Sequence, residues 1–126
     1  MFLSHTYFWL VIILLTATVL EFVFIFVIET VIPRSALTRR VFNLDPELQA
    51  QPLVQNLLKN QGVYNLVLAV FLIISVWSMS VLFTVLSLGV MIAVAIYGAL
   101  TVNKHILWKQ GLLPALSLSV LILGAL

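Results

Sequence analysis

Two glutamates, Glu21 and Glu29, lie in the stretch LTATVLEFVFIFVIETVIPR, which carries no other charge before Arg34. At about 100° per residue, Leu14, Thr18, Glu21, Ile25 and Glu29 fall along one stripe of a helix. Carboxylates held among Leu, Val, Ile and Phe can bind a proton or a cation, or serve as acid–base groups. Hydrogen-bonding partners recur further on. KNQGVYN supplies Asn60, Gln61, Tyr64 and Asn65; AIYGALT supplies Tyr97 and Thr101; KQGLLPALS supplies Gln110 and Ser117. Glu21, Glu29, Asn60, Gln61, Tyr64, Asn65, Tyr97 and Gln110 form the candidate site, a polar cluster that would hold a small molecule, a proton or a cation. The same residues could instead be hydrogen-bonded staples between helices, and Glu29 could pair with Arg34 or Lys59.

The elements that must position these groups follow from composition. Of 126 residues, 63% are hydrophobic and 8% charged, and the mean hydropathy is +1.25. Soluble domains are about half apolar and a quarter charged. Lipid is the solvent that fits, and the bilayer is the first expected partner. A spanning helix needs roughly 20 apolar residues. Four runs meet this, at about 7–32, 52–78, 81–102 and 106–126, with a loop at about 33–51. Backbone groups in lipid must be satisfied within the protein, so helices or closed barrels are the choices. Long runs without strict alternation leave helices. The expected fold is all-α, a four-transmembrane-helix bundle forming a single integral membrane domain over 1–126. MFLSHTYFWL lacks Lys and Arg and no small-residue cleavage pattern follows, so the first run is expected to be a retained helix and not a signal peptide.

Counted from Phe8, Glu21 lies about 20 Å along a helix axis, near mid-bilayer. An ionised carboxylate there costs roughly 2.5–3.5 kcal/mol, so Glu21 should face the bundle interior and hydrogen-bond to the second or third helix. Arg34, Arg39, Arg40, Lys59, Lys104 and Lys109, all six basic residues, fall on one side of a four-helix topology. By the positive-inside bias that side is cytoplasmic and both termini face outside. Trp9, Tyr7 and Trp77 would mark the outer aromatic belt and Trp108 the inner one. In the loop, SALTRRVF is expected to make a short amphipathic turn on the membrane surface with Arg39 and Arg40 toward lipid phosphates. Asp45-Pro46-Glu47 and Pro52 are both helix starts, by capping and by proline at the first turn. The segment would serve as a solvated connection or as a docking surface. Pro114 marks either a kink in the fourth helix or its true start.

The pattern Glu21-x-x-x-Ile25-x-x-x-Glu29, then Phe42, Asn60-Gln61-Gly62-x-Tyr64-Asn65-x-x-Leu68-Ala69, Tyr97-Gly98-Ala99-x-Thr101, Gln110-Gly111 and Pro114-Ala115, resembles the domain-of-unknown-function 1304 family. The resemblance spans nearly the whole chain, and Asn-Gln-Gly-x-Tyr-Asn is its most specific part. It implies a small four-helix protein of the bacterial inner membrane and no particular activity. Phe22 stands where the family often has histidine, and the step from Gln-Gly to Pro-Ala is one residue longer here.

Catalytic motifs are missing from the sequence. There is no metalloprotease HExxH, no phosphate-binding glycine loop and no supported nucleophile triad, and His5 and His105 belong at opposite membrane faces. No catalytic residue, metal site or cofactor is assigned. With no cysteine, disulfides and thiolate ligands are excluded, and a net charge of +2 argues against nucleic acid. The preferred reading is a binding or transport-type protein with a carboxylate pocket in the inner half of the bundle. Four helices enclose little volume, so transport would call for a homo-oligomer. The alternatives are a structural or regulatory membrane subunit, and a membrane-embedded enzyme acting on a lipid-soluble substrate.

Overall fold

The computed structural model describes residues 4–126. Six α-helices follow one another: α1 (His5–Phe26), α2 (Ala36–Phe42), α3 (Pro46–Ala50), α4 (Pro52–Trp77), α5 (Val81–Thr101) and α6 (Leu112–Ala125). Two π-helical turns interrupt the pattern, Val27–Val31 after α1 and Leu107–Gly111 before α6. There is no strand among the described residues. Four helical segments are long and apolar enough to cross a membrane: His5–Val31, Pro52–Trp77, Val81–Thr101 and Leu107–Ala125.

Local chemistry sets the ends. Ser4 caps α1 by accepting from the Tyr7 amide at 3.1 Å. Ser35 caps α2 through the Thr38 amide, and Asp45 caps α3 ahead of Pro46. A short polar side chain satisfies amides that have no partner within the helix, which is why these residues stand there. Asn43 ends α2 at φ 52, a left-handed conformation that asparagine tolerates. Met79 adopts φ 55 in the turn between α4 and α5. That turn spares only three residues between the helices, so they run antiparallel as neighbours.

The four long segments pack in a ring, α1 against α4, α4 against α5, α5 against α6 and α6 back against α1. Leu15, Phe22, Ala69, Leu72, Leu88 and Met91 form the core. Polar side chains fasten it. Thr18 and Ser117 share a buried hydrogen bond of 3.0 Å between α1 and α6, and Ser75 meets Ser87 at 3.1 Å between α4 and α5. The Tyr7 hydroxyl donates to the Val120 and Leu121 carbonyls near the end of α6. Trp9, Trp77 and Trp108 remain exposed on the outside.

The buried stripe of α1 runs Leu15, Thr18, Phe22, Ile25, and continues to Glu29. This shifts the expected stripe. Glu21 sits on its flank, half-buried, because Phe22 fills the inward position. The segment at 33–51, expected to be a loop with a helix start at Asp45-Pro46-Glu47, is largely helical, and α3 begins at that start. Both α2 and α3 fold into it, and the carbonyls left over by the first π turn explain part of that. The Thr38 hydroxyl lies 2.6 Å from the Ile28 carbonyl and 2.8 Å from that of Ile32, tying α2 to the end of the first long segment. At the other interruption, Pro114 lacks the amide that would bond the Gln110 carbonyl four residues earlier. Pro114 is therefore neither a simple kink nor the start: the helix widens into a π turn just before it and resumes as α6.

Candidate functional site

Glu29 is 3% exposed and sits inside the first π turn. Its Oε2 accepts a hydrogen bond of 2.7 Å from Asn65 Nδ2 on α4. Asn65 is itself fully buried, and Asn65 Oδ1 is a buried polar atom without a partner among the described residues. Gly62 makes this meeting possible. A Cβ built there would come within 2.9 Å of Glu29 Cβ and 3.2 Å of the Phe26 carbonyl oxygen. The Thr30 hydroxyl adds a hydrogen bond of 2.9 Å to the Lys59 carbonyl, one turn before Gly62.

Beyond Glu29 lies a cleft of about 680 Å³ between α4 and α5, lined by Glu29, Gln61, Tyr97, Thr101 and Gln110 among apolar side chains that include Val54, Leu57, Val94 and Ile106. Phe42 and Leu44, at the end of α2 and just after it, reach one side of it. Gln110 is 6% exposed and belongs to the second π turn. Both π turns thus bring a buried polar side chain to the same cleft. The extra residue in a π turn rotates the remainder of the helix and re-aims its side chains, and such turns are frequent at functional sites. The rim is different in character. Leu57, Tyr97 and Val102 are mostly exposed, so an apolar edge leads to a polar floor.

A second, separate cavity of about 290 Å³ lies between α1, α2 and the second π turn, lined by Glu21, Phe24, Ile25, Val41, Phe42, Ile106, Lys109 and Gln110. Glu21 Oε2 is buried there without a hydrogen-bond partner among the described residues. The Lys109 ammonium donates to the Val41 carbonyl, closing that side. Phe42, Ile106 and Gln110 border both cavities and form the wall between the two acids.

The expected cluster is thus brought together in part. Glu29, Gln61, Tyr97 and Gln110 share the cleft, and Asn65 supports Glu29 from behind. Asn60 and Tyr64 are exposed and do not line it. Asn60 precedes Gln61, which lines the cleft, and Tyr64 precedes Asn65, which is buried against Glu29; a rotation of about 100° turns each outward. Glu21 is not the floor of the cluster, since its cavity lies across the Phe42 wall, and it bonds neither the second nor the third long segment. Glu29 accepts from an amide and not from Arg34, whose Nε donates to Gln55 at 2.8 Å.

Two residues that hold the segment beside the site in place carried no signal in the sequence. Thr38 and Gln49 look like ordinary loop residues, yet both are buried. Gly62 did carry a signal, as a glycine within a helical polar motif, where close backbone approach is a common reason. Among the described residues, no group of three or more His, Cys, Asp or Glu is placed to hold a metal ion.

The model of a family described as "Protein of unknown function (DUF1304)" matches residues 5–122. "Uncharacterized protein YpaA" of Lactococcus lactis subsp. lactis (strain IL1403) is 40% identical over 111 residues, covering 86% of this chain and 93% of that protein. No solved structure matches.

Proposed function

The chain belongs to the DUF1304 family of proteins of unknown function, and from that premise we propose that it is a multi-pass protein of the bacterial plasma membrane that binds a small amphipathic molecule in the α4–α5 cleft. Glu29 receives the ligand's cationic or hydrogen-bond-donating head. Gln61 and Gln110 offer further polar contacts, and the apolar rim takes the body of the molecule.

One observation carries this reading: a buried carboxylate stands in a mostly apolar cleft of about 680 Å³, with Gln61 and Gln110 beside it. Sites for small molecules are mostly apolar, with a few polar groups that converge. An acid kept within membrane-spanning segments is a functional candidate by its cost alone. The basic residues favour an orientation with the 32–60 and 103–110 segments on the cytoplasmic side and both termini outside. The cleft then opens in the inner leaflet, where an amphiphile can enter sideways from lipid. A transport role would call for a homo-oligomer.

The Glu29–Asn65 bond supports a second reading, a structural or regulatory subunit in which the acid only holds α1 to α4. A photoreactive alkylamine separates the two. With the protein in nanodiscs, a diazirine-bearing dodecylamine should label Val54–Gln61 and Val90–Val102, and Glu29→Gln should remove that labelling while the fold is retained. Labelling spread evenly over exposed apolar positions, and indifferent to Glu29, would overturn the binding reading and leave the structural one.

A further inference from the structure

Apart from the two cavities already described, a polar pocket of about 290 Å³ lies at the end of the molecule that carries the basic residues, lined by Arg34, Arg39, Pro46, Gln49, Ala50 and Gln55. Its two arginines are held in the same unusual way. Arg39 Nε donates to Gln49 Oε1 at 2.9 Å, and Arg34 Nε donates to Gln55 Oε1 at 2.8 Å. The glutamines are locked in turn. Gln49 Nε2 donates to the Pro33 carbonyl at 2.9 Å and the Ser35 carbonyl at 3.0 Å. Gln55 Nε2 donates to the Gln49 carbonyl at 3.1 Å. Both glutamines are buried, at 3% and 6% exposure.

Solvated arginines do not need this support. Fixing Nε by a neutral amide sets the plane of each guanidinium without consuming its charge. The terminal nitrogens then present the fork geometry that matches phosphate oxygens. Among the described residues, no acidic side chain lines the pocket, so both charges remain available to a ligand. The pocket begins three residues beyond Val31, the end of the first long apolar segment, which puts it at headgroup depth in a bilayer.

We propose that Arg34 and Arg39, oriented by Gln55 and Gln49, form a binding site for a phosphate group, either that of an anionic phospholipid headgroup or a free phosphate. Arg40 is outside the pocket and serves as the internal control, since it neighbours Arg39 and carries the same charge. The site is independent of the α4–α5 cleft and of whatever the cleft binds.

Calorimetric titration of the purified full chain in dodecylmaltoside tests it, with inorganic phosphate in one arm and dihexanoylphosphatidic acid in the other. Arg34→Gln and Arg39→Gln should each weaken binding at least about tenfold, the consequence of losing one charge-assisted hydrogen bond. Arg40→Gln should stay within about twofold, as expected of a charge that does not line the pocket. Binding of the lipid alone assigns a headgroup site, and binding of both with similar strength assigns a small-anion site. Arg39→Lys and Arg34→Lys keep the charge and the solubility while removing the fixed fork, so they report even where the glutamine variants fold poorly. They too should weaken binding. Absence of binding in both arms, an Arg40→Gln loss equal to that of Arg39→Gln, or lysine variants that bind as the wild type does would each overturn the proposal.

Discussion

Asn65 Nδ2 donates to Glu29 Oε2 across 2.7 Å, joining residues 36 apart in sequence and packing α4 against the π turn that ends the first long segment. Glu29 has one role in holding the fold and a second surface turned to the cleft. That combination makes stability and binding separable by experiment.

A double-mutant cycle of Glu29→Leu and Asn65→Leu, read by unfolding in mixed micelles, should give a coupling energy of about 0.6 kcal/mol and at most about 1.7 kcal/mol, the average and the upper end for interhelical hydrogen bonds in membranes. A coupling near zero would mean that the bond does not hold α1 to α4.

Glu21 should respond in the opposite sense. Its Oε2 is buried and has no hydrogen-bond partner among the described residues, so Glu21→Leu removes no bond and replaces a poorly placed polar atom with an apolar one. Such replacements are neutral or stabilising. Melting of the variant should be unchanged or raised. A marked drop would show that the carboxyl has a partner after all.

Gly62→Ala should destabilise by about 1–3 kcal/mol, as overpacking does in a filled interior, because its Cβ would press on Glu29 Cβ and the Phe26 carbonyl. Gly89→Ala is the matched control on α5. Nothing lies within 4 Å of a Cβ built there, and alanine is the better helix former by about 1 kcal/mol, so that variant should be as stable as the parent or more so.

Topology is open to reporter fusions at the C-terminus. With all six basic residues held inside, alkaline phosphatase fused there should be active and a cytoplasm-only fluorescent protein dark. The reverse pattern would overturn the proposed orientation.

Much of the architecture was legible in the chain because its causes are local or compositional. Four apolar runs state four long helices, since backbone amides without water have no cheaper arrangement. Asp45, Pro46 and Pro52 state where helices begin, because capping and proline geometry act within one turn. The membership of Glu29, Gln61, Tyr97 and Gln110 in one neighbourhood was legible too, as each stands toward the same end of its helix. Their depth along the axis comes from counting residues.

What only the tertiary structure decided is rotation about those axes and the contacts across them. The runs are apolar on nearly every face, so periodicity gives little guide to which way Glu21, Asn60 or Tyr64 turns, and all three turn away from the cleft. The two π turns shift register within a helix: Thr38, ten residues on, takes up a carbonyl at Ile28 in the first, and the second precedes Pro114, which has no amide for the Gln110 carbonyl. Gln49 and Gln55 gained their place by reaching carbonyls of the folded segment between α1 and α4. The sequence by itself determined lengths, ends and depth, because these depend on neighbours along the chain. Which polar groups meet was left to packing, because only side chains brought together from distant segments can satisfy one another.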